Sequence, residues 1–156
     1  MQPLPVEVVL ASVWPPNVHW SVCVASTMTS TVFVNFVSDP SHDKLKSIVG
    51  LACAAQAVDD GHEVRVFFAA AGTRLLDPSF LQTLEAEMGQ GSSMVHGFMD
   101  KLLSGADLYC SFASVKATLG HEEGDGALYF PDDKISWSGP PGVIALTMSS
   151  DAQLVY

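Results

Sequence analysis

Basic residues are scarce in this chain. It has 7 Lys and Arg against 17 Asp and Glu in 156 residues, for a formal net charge of -10. No positive stripe is available to collect phosphates, which excludes DNA and RNA as general partners. The same field opposes docking on anionic lipid. Long apolar runs are also missing. None approaches the ~18 residues of a membrane helix, so no membrane span is expected.

Cysteine is sparse and unpatterned. Cys23, Cys53 and Cys110 are widely spaced and form no CxxC, which excludes a disulfide framework and a cysteine zinc site. No Lys or Arg precedes Lys44, so there is neither the basic n-region of a secretory signal nor an Arg-rich transit peptide. The expectation is a cytoplasmic protein with free thiols.

Several motifs are absent as well. No GxGxxG follows a strand, and there is no Walker A pattern, so no nucleotide cofactor is expected. No GxSxG elbow supports a Ser-His-Asp reading. His42, His62, His96 and His121 are scattered without ligand-spaced partners, and no metal is expected. "HEE" at His121, with Asp125 nearby, reads as a solvated loop rather than a cation site. Neither an internal repeat nor a low-complexity segment is visible.

What is present is apolar. Hydrophobic residues make up 48% of the chain and charged residues 15%, enough for one compact domain with a real core. So little charge over so much apolar content points to a homo-oligomer. Residues 1–28 read as an N-terminal extension, floppy or peripheral, and residues 29–156 as the domain. "VEVVLASV" within the extension has an alternative reading as an edge strand or a contact with a neighbouring subunit.

"TVFVNFV" (residues 31–37) is β-branched and aromatic on both faces, the signature of a strand inside a covered parallel sheet. "SDPSHD" follows, with Ser41 as the expected N-cap. Leu45, Ile48, Val49, Ala52 and Ala55 recur at helical spacing to about Asp60, and Gly61 is the expected stop. "EVRVFFAA" is a second buried strand and "AGTRLLD" a loop. Asp77 and Pro78 start a helix, "PSFLQTLEAEM". "MVHGFMDKLLSG" is a further helix, "DLYCS" a third strand and "FASVKATL" a helix. This alternation predicts an α/β fold with a mostly parallel sheet and helices on both faces. "DKISWSG" reads as a strand. "VIALTM" is ambiguous, β-rich by propensity but preceded by the helix-start cue Pro-Pro.

In an open α/β sheet, ligands bind beyond the carboxyl ends of the strands. Three loops meet there and supply a candidate pocket: Ser38 and Asp39, Gly72 and Thr73, Ser111 and Ser114. Cys110 ends its strand directly before a helix. A helix N-terminus carries roughly +0.5 charge and favours thiolate over thiol. Ser111 and Ser114 are placed to donate hydrogen bonds to the sulfur, and Lys116 lies one turn on. Cys110 is therefore the candidate nucleophile, against the alternative of a small buried core residue. Cys53 sits mid-helix among alanines and reads as core. Arg74 is a candidate anion partner or a plain surface residue. Asp39, His42 and Asp43 crowd the first loop, as acid–base groups or as helix caps.

The order of elements and the cysteine junction resemble the DsrE/DsrF-like family, the sulfur-relay and YchN-like group. The resemblance runs over residues 31–156. It is carried by "TVFVNFVSDP", by "AAQAVDDGHEVRVFFAAAGTRLL", and most distinctively by "LLSGADLYCSFASVKATLG" with Cys110, Ser114 and Gly120. It implies a three-layer, flavodoxin-like fold with a five-stranded sheet, in a trimer or hexamer. It also makes "KISWS" the fourth strand, "PGVIALTM" a helix and "DAQLVY" the last strand. In relay members the equivalent cysteine carries sulfur as a persulfide between a donor and an acceptor protein. Carried over residue by residue, only Cys110 inherits that role; the chain departs from the relay pattern in that the following helix lacks paired basic residues, Lys116 standing alone, and no resolving cysteine is near. The alternative is a non-catalytic oligomeric protein that binds a small ligand or a partner. The carrier reading requires Cys110 to be exposed at a cleft.

Overall fold

The computed structural model describes residues 29–89 and 91–156. The expected N-terminal extension lies outside the described residues. Among the described residues five strands form the sheet: β1 (Thr31–Phe36), β2 (Glu63–Phe68), β3 (Ala106–Ser111), β4 (Ile135–Ser138) and β5 (Ala152–Val155). Every pairing is parallel, and the spatial order is β4-β3-β2-β1-β5. The chain therefore steps outward from β1 to β4, then returns to the far side of β1.

Right-handed crossovers turn that order into layers. The outward steps put α1 (Lys44–Asp59), α2 (Pro78–Glu87), α3 (Met94–Gly105) and α4 (Phe112–Leu119) on one face. The return step puts α5 (Pro140–Met148) on the other. Burial follows strand alternation. Val32, Val34, Phe36, Val64, Val66, Phe68, Leu108 and Cys110 face the larger helical layer. Phe33 and Phe67 point the other way, onto Leu146 and Val143 of α5. This is the expected three-layer α/β architecture, and "VIALTM" is helical despite its β propensity.

Local chemistry explains the boundaries. Asp77 accepts from Ser79 N, and Pro78 occupies the first turn of α2. Gly61 and Gly120 end α1 and α4 at φ of 80° and 78°, which side chains disfavour. Two expectations differ. The N-cap of α1 is Asp43, whose carboxylate accepts from Lys46 N at 3.1 Å. Ser41 instead bonds Asp39, the acid two residues before it, in an Asx-type turn. "AAGTRLL" is a 3-10 helix over residues 70–76 rather than a loop. It buries Leu75 and Leu76 and rests against β1, where a Cβ on Gly72 would collide with the Phe36 carbonyl oxygen.

Candidate functional site

The three loops nominated from sequence do meet at the carboxyl ends of β1, β2 and β3. They close on one another there. Ser114 Oγ accepts from Ala70 N at 2.9 Å and donates to Ser111 Oγ at 3.0 Å. Ser111 Oγ also accepts from Ser114 N, so it caps α4 from within the strand end. Thr73 is fully buried, and its hydroxyl returns to the Ala70 carbonyl at 2.8 Å. Ala70 takes a positive φ of 47°, a strained value for a residue with a Cβ. Ser38 Oγ accepts from Lys46 Nζ at 2.9 Å. Of the candidate pocket residues, Ser111 and Ser114 bond each other, while Ser38 and Thr73 are satisfied by Lys46 and Ala70.

Asp39 is the hub of the first loop. It accepts from Ser41 Oγ at 2.6 Å and Ser41 N at 2.9 Å. His42 Nδ1 lies 3.3 Å from it and Arg74 Nε 3.5 Å. The Ser41 hydroxyl first, with smaller help from Arg74 and His42, holds its carboxyl below the usual range against the cost of burial. Arg74 therefore reaches across from the 3-10 helix to tie two loops together. Asp43 is a helix cap. Neither group is arranged as a general base.

Cys110 departs from the sequence expectation. Its strand position is as read, at the last pair before the Ser111 cap, flanked in register by Phe68 and Trp137. Its side chain turns into the core and has no exposure. The two serines bond each other rather than the sulfur, and Ser111 takes up the Ser114 amide. Burial, with smaller effects from the Glu123 and Asp132 carboxylates, pushes the thiol up to about 12. The expected thiolate is replaced by a neutral, covered thiol, because an apolar shell withholds the solvation an anion needs. Lys116 points elsewhere, pairing with Glu122.

Cys53 is the more open of the two, only partly buried. It lies beside the phenol of Tyr156, whose proton is held up to about 12 by that neighbour first and by burial second. His121 Nδ1 stands 3.9 Å from Asp125. Among the described residues, no group of three His, Cys, Asp or Glu side chains converges as a metal site would require.

Sequence reasoning missed other polar groups. Asn35 is 9% exposed, and its buried Oδ1 has no partner among the described residues. Its visible signal was one amide inside the apolar run "TVFVNFV". Trp137 Nε1 and Asp132 Oδ1 are likewise buried and unpaired. A separate cluster joins α2 to α3. Glu85 accepts from Ser92 Oγ at 2.5 Å, Met94 N at 2.9 Å and His96 N at 2.8 Å. His96 Nδ1 lies 3.0 Å from the same carboxylate. Glu85 thus caps α3 from another helix, a contact that no local motif announces. A cavity of about 380 Å³ adjoins it, away from Cys110.

Comparison with known proteins bears on the fold. No protein-family model matches the chain. No curated protein matches it either. Among solved structures, the crystal structure of the ychN protein from E. coli superposes with a TM-score of 0.54 at 15% identity, covering 83% of this chain and 100% of that one. The match is in architecture: the same α/β layering is reached with few residues in common.

Proposed function

We propose that this chain is a non-catalytic, self-associating binding or interaction protein of the cytoplasm, built on the DsrE/DsrF-like fold. One observation carries the choice over sulfur transfer. Cys110 has no exposed surface, and its thiol is pushed up to about 12. A nucleophile needs the thiolate and access to it.

Self-association, as a trimer or hexamer, is supported by α5. "PPGVIALTM" is apolar around its whole circumference, a pattern that suits a helix covered on all sides. Only Leu146 is buried within the chain. Ile144 is 63% and Met148 81% exposed, and Phe112 at the start of α4 is 56% exposed. The test is sedimentation of wild type against Ile144→Glu. A discrete oligomer that dissociates in the variant supports the reading; a wild-type monomer at tens of micromolar overturns it.

Persulfide carriage on Cys110 is a second reading, favoured by the strand-end position of the cysteine in a fold shared with the ychN protein. A donor protein would load the sulfur and an acceptor thiol would remove it. Intact mass after incubation with a persulfide donor separates the two. A gain of about 32 Da in native wild type that is absent in Cys110→Ala favours the carrier. No gain, or a gain that survives the substitution, removes Cys110 from the role.

A further inference from the structure

The contact between α2 and α3 holds a histidine in one chemical state. Glu85 is buried, and both of its carboxylate oxygens accept twice. Oε1 takes Ser92 Oγ and Met94 N, while Oε2 takes His96 N at 2.8 Å and His96 Nδ1 at 3.0 Å. Those contacts use the acceptor capacity of a carboxylate. They also set the imidazole. An ionised carboxylate only accepts, so Nδ1 carries the ring proton and Nε2 of the neutral ring keeps its lone pair. The ring leans on Tyr129, with centroids 5.8 Å apart at 59°, and the Tyr129 hydroxyl is itself tied to Asp100 at 2.8 Å. The His96 side chain is 35% exposed. It is a clamped imidazole whose outer nitrogen is set up to accept.

The cavity of about 380 Å³ beside this pair is lined by His96 together with Gln82, Ala86 and Ser93. Its volume falls in the range of about 300–1,000 Å³ usual for small-molecule sites. We propose that this cavity is a ligand site for an uncharged polyhydroxy compound of monosaccharide size, with His96 Nε2 accepting a hydrogen bond from a ligand hydroxyl. Glu85 is the positioning residue: it touches no ligand and acts through the tautomer and orientation of His96.

Charge and lining select that class. No Lys or Arg is among the described residues that line the cavity, and the chain carries a net charge of -10, so an anion meets repulsion without a partner. A cation gains little either, because the donors already gathered on Glu85 satisfy its charge. What remains for a ligand is a carboxamide on Gln82, a hydroxyl on Ser93 and the imidazole of His96, all of which hydrogen-bond to hydroxyls. Ala86, Gly89 and Gly91 keep the rest of the lining small. The inference rests on the reading of this chain as a binding protein, but not on association through α5. A monomer in sedimentation leaves this site standing, and a failure here leaves the oligomer standing.

Nuclear magnetic resonance on the full chain tests this, with D-glucose as the probe and glucose 6-phosphate as its charged counterpart. Long-range nitrogen–proton spectra of the neutral ring are expected to show the Nδ1–H tautomer at His96. Glucose, titrated to about 50 mM so as to cover millimolar affinities, is expected to shift the His96 ring signals saturably. The phosphate ester is expected to bind more weakly. His96→Asn keeps a donor toward Glu85 but has nothing in place of Nε2. Followed at the Ser92 and Ser93 amides, glucose should bind it about tenfold more weakly, the worth of one hydrogen bond. Should that variant not fold, Gln82→Ala at an exposed position replaces it, with the same direction expected. An Nε2–H tautomer in wild type overturns the proposal. So does the lack of a saturable shift, an affinity unchanged in the folded variant, or tighter binding of the phosphate ester.

Discussion

Gly72 packs its α-carbon onto the Phe36 carbonyl, so closely that no side chain fits between the 3-10 helix and the end of β1. The obstacle is backbone, which cannot rotate aside. Gly72→Ala is therefore expected to destabilise the fold by about 1–3 kcal/mol, the range for overpacking a packed site. Urea unfolding measures it. A loss below about 0.5 kcal/mol would show that the 3-10 helix shifts freely.

Ala70, two residues earlier, gives the opposite sign. Its φ of 47° is strained for any residue with a Cβ. Ala70→Gly relieves about 1–2 kcal/mol of that strain. It gives back about 0.4–1 kcal/mol through the looser unfolded chain. A net gain of about 0.5 kcal/mol is expected, since the Ala70 amide and carbonyl keep their bonds to Ser114 and Thr73. A measured loss would contradict this balance.

Glu85 sets the acid limb of stability. Burial opposes its charge, but the Ser92, His96 and Met94 donors together outweigh that and hold it at about 2, against an ordinary 4.5. A carboxyl depressed in the fold contributes stability that is present above about pH 4.5 and is lost as pH falls toward 2. Glu85→Gln should cost about 1–3 kcal/mol at neutral pH. It should also flatten the stability profile between those two pH values. Chemical denaturation as a function of pH reads both; an unchanged acid limb would remove Glu85 as its source.

The two described thiols should differ in kind. Iodoacetamide on native protein is expected to modify Cys53 at least about tenfold faster than Cys110, because only Cys53 is partly exposed. With its thiol pushed up to about 12, Cys110 should gain reactivity with rising pH without a plateau through pH 10. Peptide mapping of timed samples checks this. Equal rates at the two sites would mean that the core over Cys110 opens readily.

Strands and helices were legible because their cues are local. "TVFVNFV" is apolar on both faces, Asp77-Pro78 writes its own cap, and Gly61 and Gly120 mark their stops. The site was legible only in part. Position along the strand placed Cys110 before a helix, but which way its side chain turns depends on register with Phe68 and Trp137. The core that covers it includes Leu128 and Phe130, from a stretch with no helical or strand period. The Glu85 cap on α3 was out of reach for the same reason: it joins residues that share no motif.

Ser111 ends β3 and caps α4 at once, so no flexible residue separates sheet from helix at this corner. There is consequently no hinge on which Cys110 alone could turn outward. It is held by neighbouring strands on both sides, and uncovering its sulfur means loosening its covering core or unzipping the end of a central strand. Where the strand is what opens, alkylation of that thiol and deuterium uptake by the β3 amides become two clocks for a single event. A chemist could then read the breathing of the sheet from one cysteine.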